Sequence, residues 1–479
     1  MPHKSYDRLS AMDTSFLVLE RPHSPLHISC TLVYDAGPLA TPEGGVDFAA
    51  SRAATGGVLH RIPRYRQRLE WIPVFGHPVW VDDPDFELDY HVRHTSLPRP
   101  GSVAQLKKLS ARIMAQPLDP SRPLWESWVV EGLEGGRFAV ISKIHHCMID
   151  GVAGQDLSEI LHQTDPAVRT PPPPSRFYPR ETPSRVDLLR DEVGRYLSLP
   201  GRALRGLRAA TRELAELRDE VTTRARSVAR MMSAMQETPS QTCLNQRIGP
   251  HRRFDWRDMA LDDVKAVRKA LGCSINDVVL ATVTGAVREF LLLRGERVDD
   301  VEFKIAAPVS IRSPDDPALG NRVSNWFVRA PIDEADPVRR VERIREATEE
   351  LKETKQALDA DLIMNVAEWT PTVLLTLASR AASGSAPYNL MVTNVPGVQV
   401  PLYLLGARLE GMYPQVPIAD STALGVALVS YAGKLCWGFN ADLEVVPDLE
   451  TFASLVESSF QDLAKCAGVE LSGSGRGGA

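Results

Sequence analysis

The chain is poor in cysteine: six in 479 residues, none of them in a CxxC pair. Cys30, Cys147, Cys243, Cys273, Cys436 and Cys466 stand far apart, which excludes a dense disulfide framework. Such cysteines suit small core positions in a reducing compartment. The usual zinc-ligand spacings are also missing. No segment offers the roughly 18 consecutive apolar residues of a simple spanning helix. The start, from Met1 to Arg8, lacks the apolar stretch of a signal peptide. Basic residues are not in excess: 55 Lys and Arg stand against 61 Asp and Glu, a net charge of −6. That balance argues against nucleic acid as a partner unless a local basic patch exists. No internal repeat is present, which excludes a solenoid or propeller. Together these absences predict a cytoplasmic protein that is soluble or lies on a membrane surface and does not cross one.

What is present is a globular balance of 43% hydrophobic and 24% charged residues. A chain of this length predicts two domains or one large two-lobed unit. Residues 1–170 form a first lobe of short strands and helices. Within it, Leu26 to Tyr34 reads as a strand and Val103 to Ala115 as a helix stopped by Pro117. Val152 to Gln163 reads as a further helix. Residues 171–240 form a connector that opens on Pro171-Pro172-Pro173-Pro174 and continues as Leu-, Ala- and Arg-rich helices. There Arg202, Arg205, Arg208 and Arg212 recur at helical spacing. Two readings stand: a solvated helix face, or a basic amphipathic surface resting on anionic lipid. Residues 241–470 form a second α/β lobe. It carries predicted helices at Leu261 to Leu271, Val278 to Leu293, Pro337 to Leu358 and Pro371 to Arg380. It also carries strands at Val301 to Val309 and Leu390 to Gly397, and a hairpin around Ala432-Gly433. The Gly/Ser-rich tail, 471–479, reads as disordered.

The most informative stretch is His145-His146-Cys147-Met148-Ile149-Asp150-Gly151, at the end of the strand-like run Arg137 to Ile144. Histidine titrates near neutrality, so it can take up and return a proton at working pH. Successive side chains on a strand face opposite sides. If the strand runs through the pair, one histidine works in a cleft and the other supports it. Other readings remain open: satisfied structural histidines, metal binding through the histidines with Asp150 and Cys147, or a surface strand end without a role. Neighbouring strand histidines diverge and chelate one ion poorly. Cys147, among apolar neighbours, reads as packing.

His145-His146-x-x-x-Asp150-Gly151 resembles the central motif of the HHxxxDG acyltransferases, which include chloramphenicol acetyltransferase, carnitine acyltransferases and peptide-synthetase condensation domains. The flanks resemble one branch, the bacterial wax ester synthase/acyl-CoA:diacylglycerol acyltransferases. They are Leu9 to Leu17, Arg61 to Leu69, His91-Val92-Arg93-His94, Pro123-Leu124-Trp125, Ser274-Ile275-Asn276-Asp277, Pro308 to Arg312, Gly320 to Asn325 and Thr393-Asn394-Val395-Pro396-Gly397. In the last element the family more often has Ser and Pro where Thr393 and Val398 stand here. The resemblance spans nearly the whole chain.

The resemblance implies an α/β, two-lobed, chloramphenicol acetyltransferase-like fold of mixed sheets and helices, with an active-site channel between the lobes. It implies transfer of a long-chain acyl group from acyl-CoA, a co-substrate with no resident cofactor or metal, to the hydroxyl of diacylglycerol or of a long-chain alcohol. His146 would be the general base and His145 its support. Asp150 would be structural, with Arg66 as a candidate partner. Gly151 would let the turn close. Asn276 is a candidate oxyanion donor or substrate-orienting group, against a plain helix-cap reading. Arg312 could meet coenzyme A phosphates or form a structural ion pair. Peripheral contact with the inner membrane or a lipid inclusion would follow from the substrates. A catalytically idle lipid-binding protein is the alternative of another class, and intact His146 and Asp150 count against it. An amino-acid condensation domain is weakened by the flanks. Acceptor, chain length and oligomeric state are not legible.

Overall fold

The computed structural model describes residues 5–148, 159–167, 173, 175–197, 239–310, 323–353 and 386–472. Asp150, Gly151, Arg312, the Arg202–Arg212 series, the predicted helix at 371–380 and the tail beyond residue 472 lie outside these residues.

The chain opens on β1 (Tyr6–Arg8) and helix α1 (Ala11–Leu19). Ser10 caps α1 by accepting the Asp13 backbone N–H at 3.0 Å. Strand β2 (His27–Asp35), helix α2 (Phe48–Val58) and the hairpin β3 (Gln67–Trp71) and β4 (Pro78–Asp82) follow. Next come α3 (Leu88–His91), β5 (Val92–Ser96) and α4 (Val103–Ala115). Helix α4 starts on a capping box in which Ser102 and Gln105 satisfy each other's backbone N–H groups. Strands β6 (Trp125–Leu133) and β7 (Arg137–His145) end the first run, and helix α5 (Arg185–Leu197) packs on the small sheet β1-β4-β3.

The second half holds β8 (Arg252–Ala260), α6 (Leu261–Leu271), α7 (Ile275–Leu293), β9 (Phe303–Ser310), β10 (Val323–Ala330) and α8 (Pro337–Glu353). It continues through β11 (Leu390–Val395), β12 (Tyr403–Leu404), β13 (Ala407–Gln415), β14 (Leu424–Tyr431), β15 (Lys434–Asp442) and α9 (Leu449–Cys466). Two six-stranded mixed sheets result, ordered β12-β13-β2-β7-β6-β5 and β10-β9-β11-β14-β15-β8. The α/β expectation holds.

The second core packs α7 and α9 against the second sheet, with Phe290, Phe439 and Phe452 fully buried. Each fully buried side chain of this size contributes about 1.5–3 kcal/mol. The hairpin β14–β15 turns on Ala432 and Gly433, with φ of 44° and 81°. Positive φ at both central residues is the tight turn that matches strand twist. Among the described residues no single helix is long and apolar enough to cross a membrane. Helices α6 and α7 meet that length and composition only across a 98° bend, and α7 is buried in the core.

Several boundaries differ from expectation. The helix expected from Val278 begins at Ile275, because Ser274 and Asp277 form its capping box. The strand expected from Val301 begins at Phe303. The sheets also do not respect the division at 170 and 241. Strands β12 and β13, from the second lobe's sequence, extend the first sheet through an antiparallel pairing of β13 with β2. On its other side β13 presses on β15, where a Cβ on Gly438 would lie 1.8 Å from the Pro414 carbonyl oxygen. Trp256 stacks on Tyr413 at the same junction, with ring centroids 4.5 Å apart.

Candidate active site

The first sheet delivers the histidines. Strand β7 pairs with β2 in a register that sets His145 opposite His27. It pairs with β6 so that Ile144 faces Trp125. The strand stops at His145, and His146–Met148 form a 3-10 turn. The strand therefore carries His145 alone, and His146 belongs to the turn. They diverge because the turn starts between them. The His145 N–H donates to the Leu124 carbonyl at 3.0 Å, and the His146 N–H donates to that of Leu26 at 2.9 Å. Two different neighbouring segments thus hold consecutive residues.

His145 is 2% exposed. Its Nδ1 accepts the Cys147 N–H at 3.1 Å, and its Nε2 lies 3.6 Å from Glu20 Oε2. His146 keeps partial exposure. Its ring stacks on Phe16 of α1, with centroids 4.0 Å apart and planes 22° apart. Its deep surroundings, helped slightly by the neighbouring His145, push its pKa down to about 4. At neutral pH the imidazole is uncharged, with a lone pair ready for a proton. Cys147 packs among Leu9, Leu69, Trp80, Leu118 and Leu124, and burial pushes its thiol well above its ordinary range.

The flanking motif segments build the support. The Leu124 carbonyl of Pro123-Leu124-Trp125 receives the His145 N–H. Trp125 is buried and donates its indole N–H to the Tyr65 carbonyl at 2.8 Å. It stacks on both Tyr65 and His91, with centroids at 4.5 and 4.6 Å. His91 Nδ1 donates to the Trp125 carbonyl at 2.8 Å. Three distant motif segments therefore meet under the end of β7. Lys143, two residues before His145, is fully buried. It donates to the Ile113 and Gln116 carbonyls at the end of α4, at 3.1 and 3.0 Å.

Other expected residues lie differently. Asn276 does not cap α7; Ser274 does. Its side chain is exposed and accepts from Asn394 Nδ2 at 2.7 Å, which joins two resembled motif segments within the second lobe. The Arg66 guanidinium stands over the Phe177 ring at 4.3 Å, with Asp82 the carboxylate acting on it. Its expected partner Asp150 lies outside the described residues, as do Gly151 and Arg312. Sequence reasoning missed Glu20, His27 and Phe16. Glu20 directly follows the α1 segment and His27 opens β2. The β2–β7 register brings His27 to His145, and the Leu26 N–H holds Glu20 beside them.

The two-lobed fold of mixed sheets, with a partly exposed histidine in the turn at a strand end, is that of the coenzyme A-dependent acyltransferases and condensation domains. The first condensation domain of the calcium-dependent antibiotic synthetase has the same fold, with a TM-score of 0.61 at 16% identity over 97% of each chain. Residues 9–279 match the wax ester synthase/diacylglycerol acyltransferase catalytic domain, and residues 319–464 match the C-terminal domain of the same proteins. The chain belongs to this family. The wax ester synthase/diacylglycerol acyltransferase of Marinobacter aquaeolei VT8 is similar in structure, with a TM-score of 0.67 and 25% identity, over 96% of this chain and 100% of that one. Two proteins of Mycobacterium tuberculosis named diacylglycerol O-acyltransferases are also similar. One is 32% identical over 98% of this chain and 92% of its own. The other is 31% identical over 97% of this chain and 100% of its own.

Proposed function

We propose that the protein transfers a long-chain acyl group from acyl-CoA to the free hydroxyl of diacylglycerol, forming triacylglycerol and coenzyme A. The observation that carries this reading is His146, neutral and partly exposed on a braced turn, in a chain that matches the family over residues 9–279 and 319–464. A hydroxyl attacks a thioester poorly until a base takes its proton, and such a base contributes about 10²–10⁴-fold. Neutral His146 takes that proton as the new C–O bond forms. It returns the proton to the departing coenzyme A sulfur as the C–S bond breaks. His145, turned away from His146 and bonded to the Cys147 N–H, supports the turn. Asp150 and Gly151 complete the motif in the same reading. In the same reading the site opens on a channel between the two lobes.

A long-chain alcohol presents the same hydroxyl chemistry, so wax ester is the second product of the same site. Both acceptors partition into lipid, which favours work at a lipid surface. Trp71, Val74 and Leu197 offer it large exposed apolar side chains.

The test is coenzyme A release from palmitoyl-CoA with dioleoylglycerol and, separately, with hexadecanol. His146→Ala is expected to lower kcat by about 10²–10⁴-fold without lowering the unfolding midpoint. Most activity surviving in His146→Ala overturns the base assignment. A folded wild type that turns over neither acceptor overturns the acyltransferase reading.

A further inference from the structure

Glu20 stands where three segments meet. It closes α1, its backbone N–H donating to the Phe16 carbonyl at 3.2 Å. Its Oε1 accepts the Leu26 N–H at 3.2 Å and lies 3.6 Å from His27 Nε2. Its Oε2 lies 3.6 Å from His145 Nε2. His27 and His145 are 1% and 2% exposed. Their rings meet edge to face, with centroids 5.6 Å apart. The carboxylate is therefore shared between two buried imidazoles.

Ligand atoms of Glu20, His27 and His145 all lie within 4.8 Å of one another, a spacing that fits a divalent metal. The protonation of His145 argues against one. Its Nδ1 accepts the Cys147 N–H, so that nitrogen holds a lone pair. A neutral imidazole with a lone pair on Nδ1 carries its proton on Nε2, and a protonated nitrogen cannot ligate a metal. The Nε2–H therefore faces the Glu20 carboxylate. At 3.6 Å the contact is electrostatic, a few tenths of an ångström beyond a hydrogen bond.

We propose that Glu20 is a positioning residue: it holds His145 as the Nε2–H tautomer and, through the His145–Cys147 bond, fixes the turn that aims His146. The proposal rests on His146 being the base of the acyl transfer. Helix α1 then acts on both histidines from positions four residues apart, one turn of helix. Phe16 stacks on the ring of His146, while Glu20 faces the ring of His145. A loss of aim of about 1 Å at a base can cost about 10²-fold.

Glu20→Ala is expected to lower kcat with palmitoyl-CoA and dioleoylglycerol by about 10–100-fold, with the KM for palmitoyl-CoA within about twofold. Glu20→Gln, which keeps the shape and one acceptor oxygen, is expected to recover most of that loss. The readout independent of turnover is nitrogen NMR of 15N-imidazole-labelled protein, with the His145 signals assigned through His145→Gln. Wild type is expected to show one fixed tautomer, protonated on Nε2, and Glu20→Ala an exchange-averaged ring. A wild-type His145 protonated on Nδ1 overturns the proposal. So does unchanged kcat in Glu20→Ala, or stoichiometric zinc binding that Glu20→Ala abolishes. If wild type turns over no acceptor, the acyltransferase reading fails, while the tautomer spectra still decide the link between Glu20 and His145.

Discussion

Replacing Lys143 by Met tests whether the end of α4 and the end of β7 are one mechanical unit. The Lys143 ammonium is fully buried, and burial lowers its pKa. Three groups hold it: the Ile113 carbonyl at 3.1 Å, the Gln116 carbonyl at 3.0 Å and Glu126 Oε2 at 3.4 Å. The two carbonyls belong to the last turn of α4 and its cap, and that of Ile113 also accepts the Gln116 N–H at 3.3 Å. Lys143→Met keeps an unbranched chain one atom shorter and removes all three contacts. Breaking a buried ion pair from one side costs about 3–5 kcal/mol. Glu126 keeps Arg93 at 3.2 Å and the Trp128 indole N–H at 3.0 Å, so it is not left bare. Relief from burying the ammonium offsets a further part. The net expectation is a loss of about 2–4 kcal/mol. Urea unfolding followed by tryptophan fluorescence measures it as a lower midpoint at unchanged slope. Hydrogen exchange should speed up first at the end of α4 and at 143–146. A loss below about 1 kcal/mol, or faster exchange spread evenly over the molecule, refutes the reasoning.

Acid should destabilise the fold before its carboxylates titrate. Burial holds His77, His91 and His146 at about 4, and pushes His27 well below its ordinary value. Between pH 4 and 6.5 the unfolded chain binds more protons than the folded one, so stability rises with pH across that window. Each of the three sites withdraws about 2 kcal/mol between pH 7 and pH 5. Thermal midpoints that stay flat from pH 7 to 5 refute this. Gly438→Ala would set a methyl 1.8 Å from the Pro414 carbonyl oxygen and force the sheets apart. A loss of about 3 kcal/mol or more is expected, read by urea unfolding. For Asn276→Ala, coenzyme A release should fall by less than about tenfold, because its exposed amide is tied to Asn394. A loss of 10²–10³-fold would restore it as an oxyanion donor.

The sequence announced the histidine pair because local chemistry and local order make it visible. It announced α4 as a helix stopped by Pro117, and the last hairpin through Ala432-Gly433, for the same reason. What it hid is carried by distant pairings. The end of β7 at His145 depends on Leu124 and Leu26, two segments remote in the chain. His27 joins the site only through the register of β2 on β7, and Glu20 through the Leu26 N–H that it accepts. Asn276 sits inside the Ser274-x-x-Asp277 capping pattern, and nothing local says that its own side chain goes to Asn394. The placement of β13 beside β2 could not be read from periodicity, which is silent about neighbours.

That placement of β13 has a consequence for how the protein is made. Strand β2 has β7 on one side and β13 on the other, and β13 begins only at Ala407. On the ribosome, β2 and β7 emerge early, while the strand that covers the other edge of β2 is still to be translated. At typical synthesis rates that edge stays open for tens of seconds. An uncovered strand edge is a template for wrong pairing with another nascent chain. Folding of the histidine-bearing sheet thus finishes only when the far end of the message has been read. A truncated chain ending before Ala407 would carry every residue of the motif on a sheet with one raw edge. Such a fragment should aggregate unless residues 403–472 are supplied in trans.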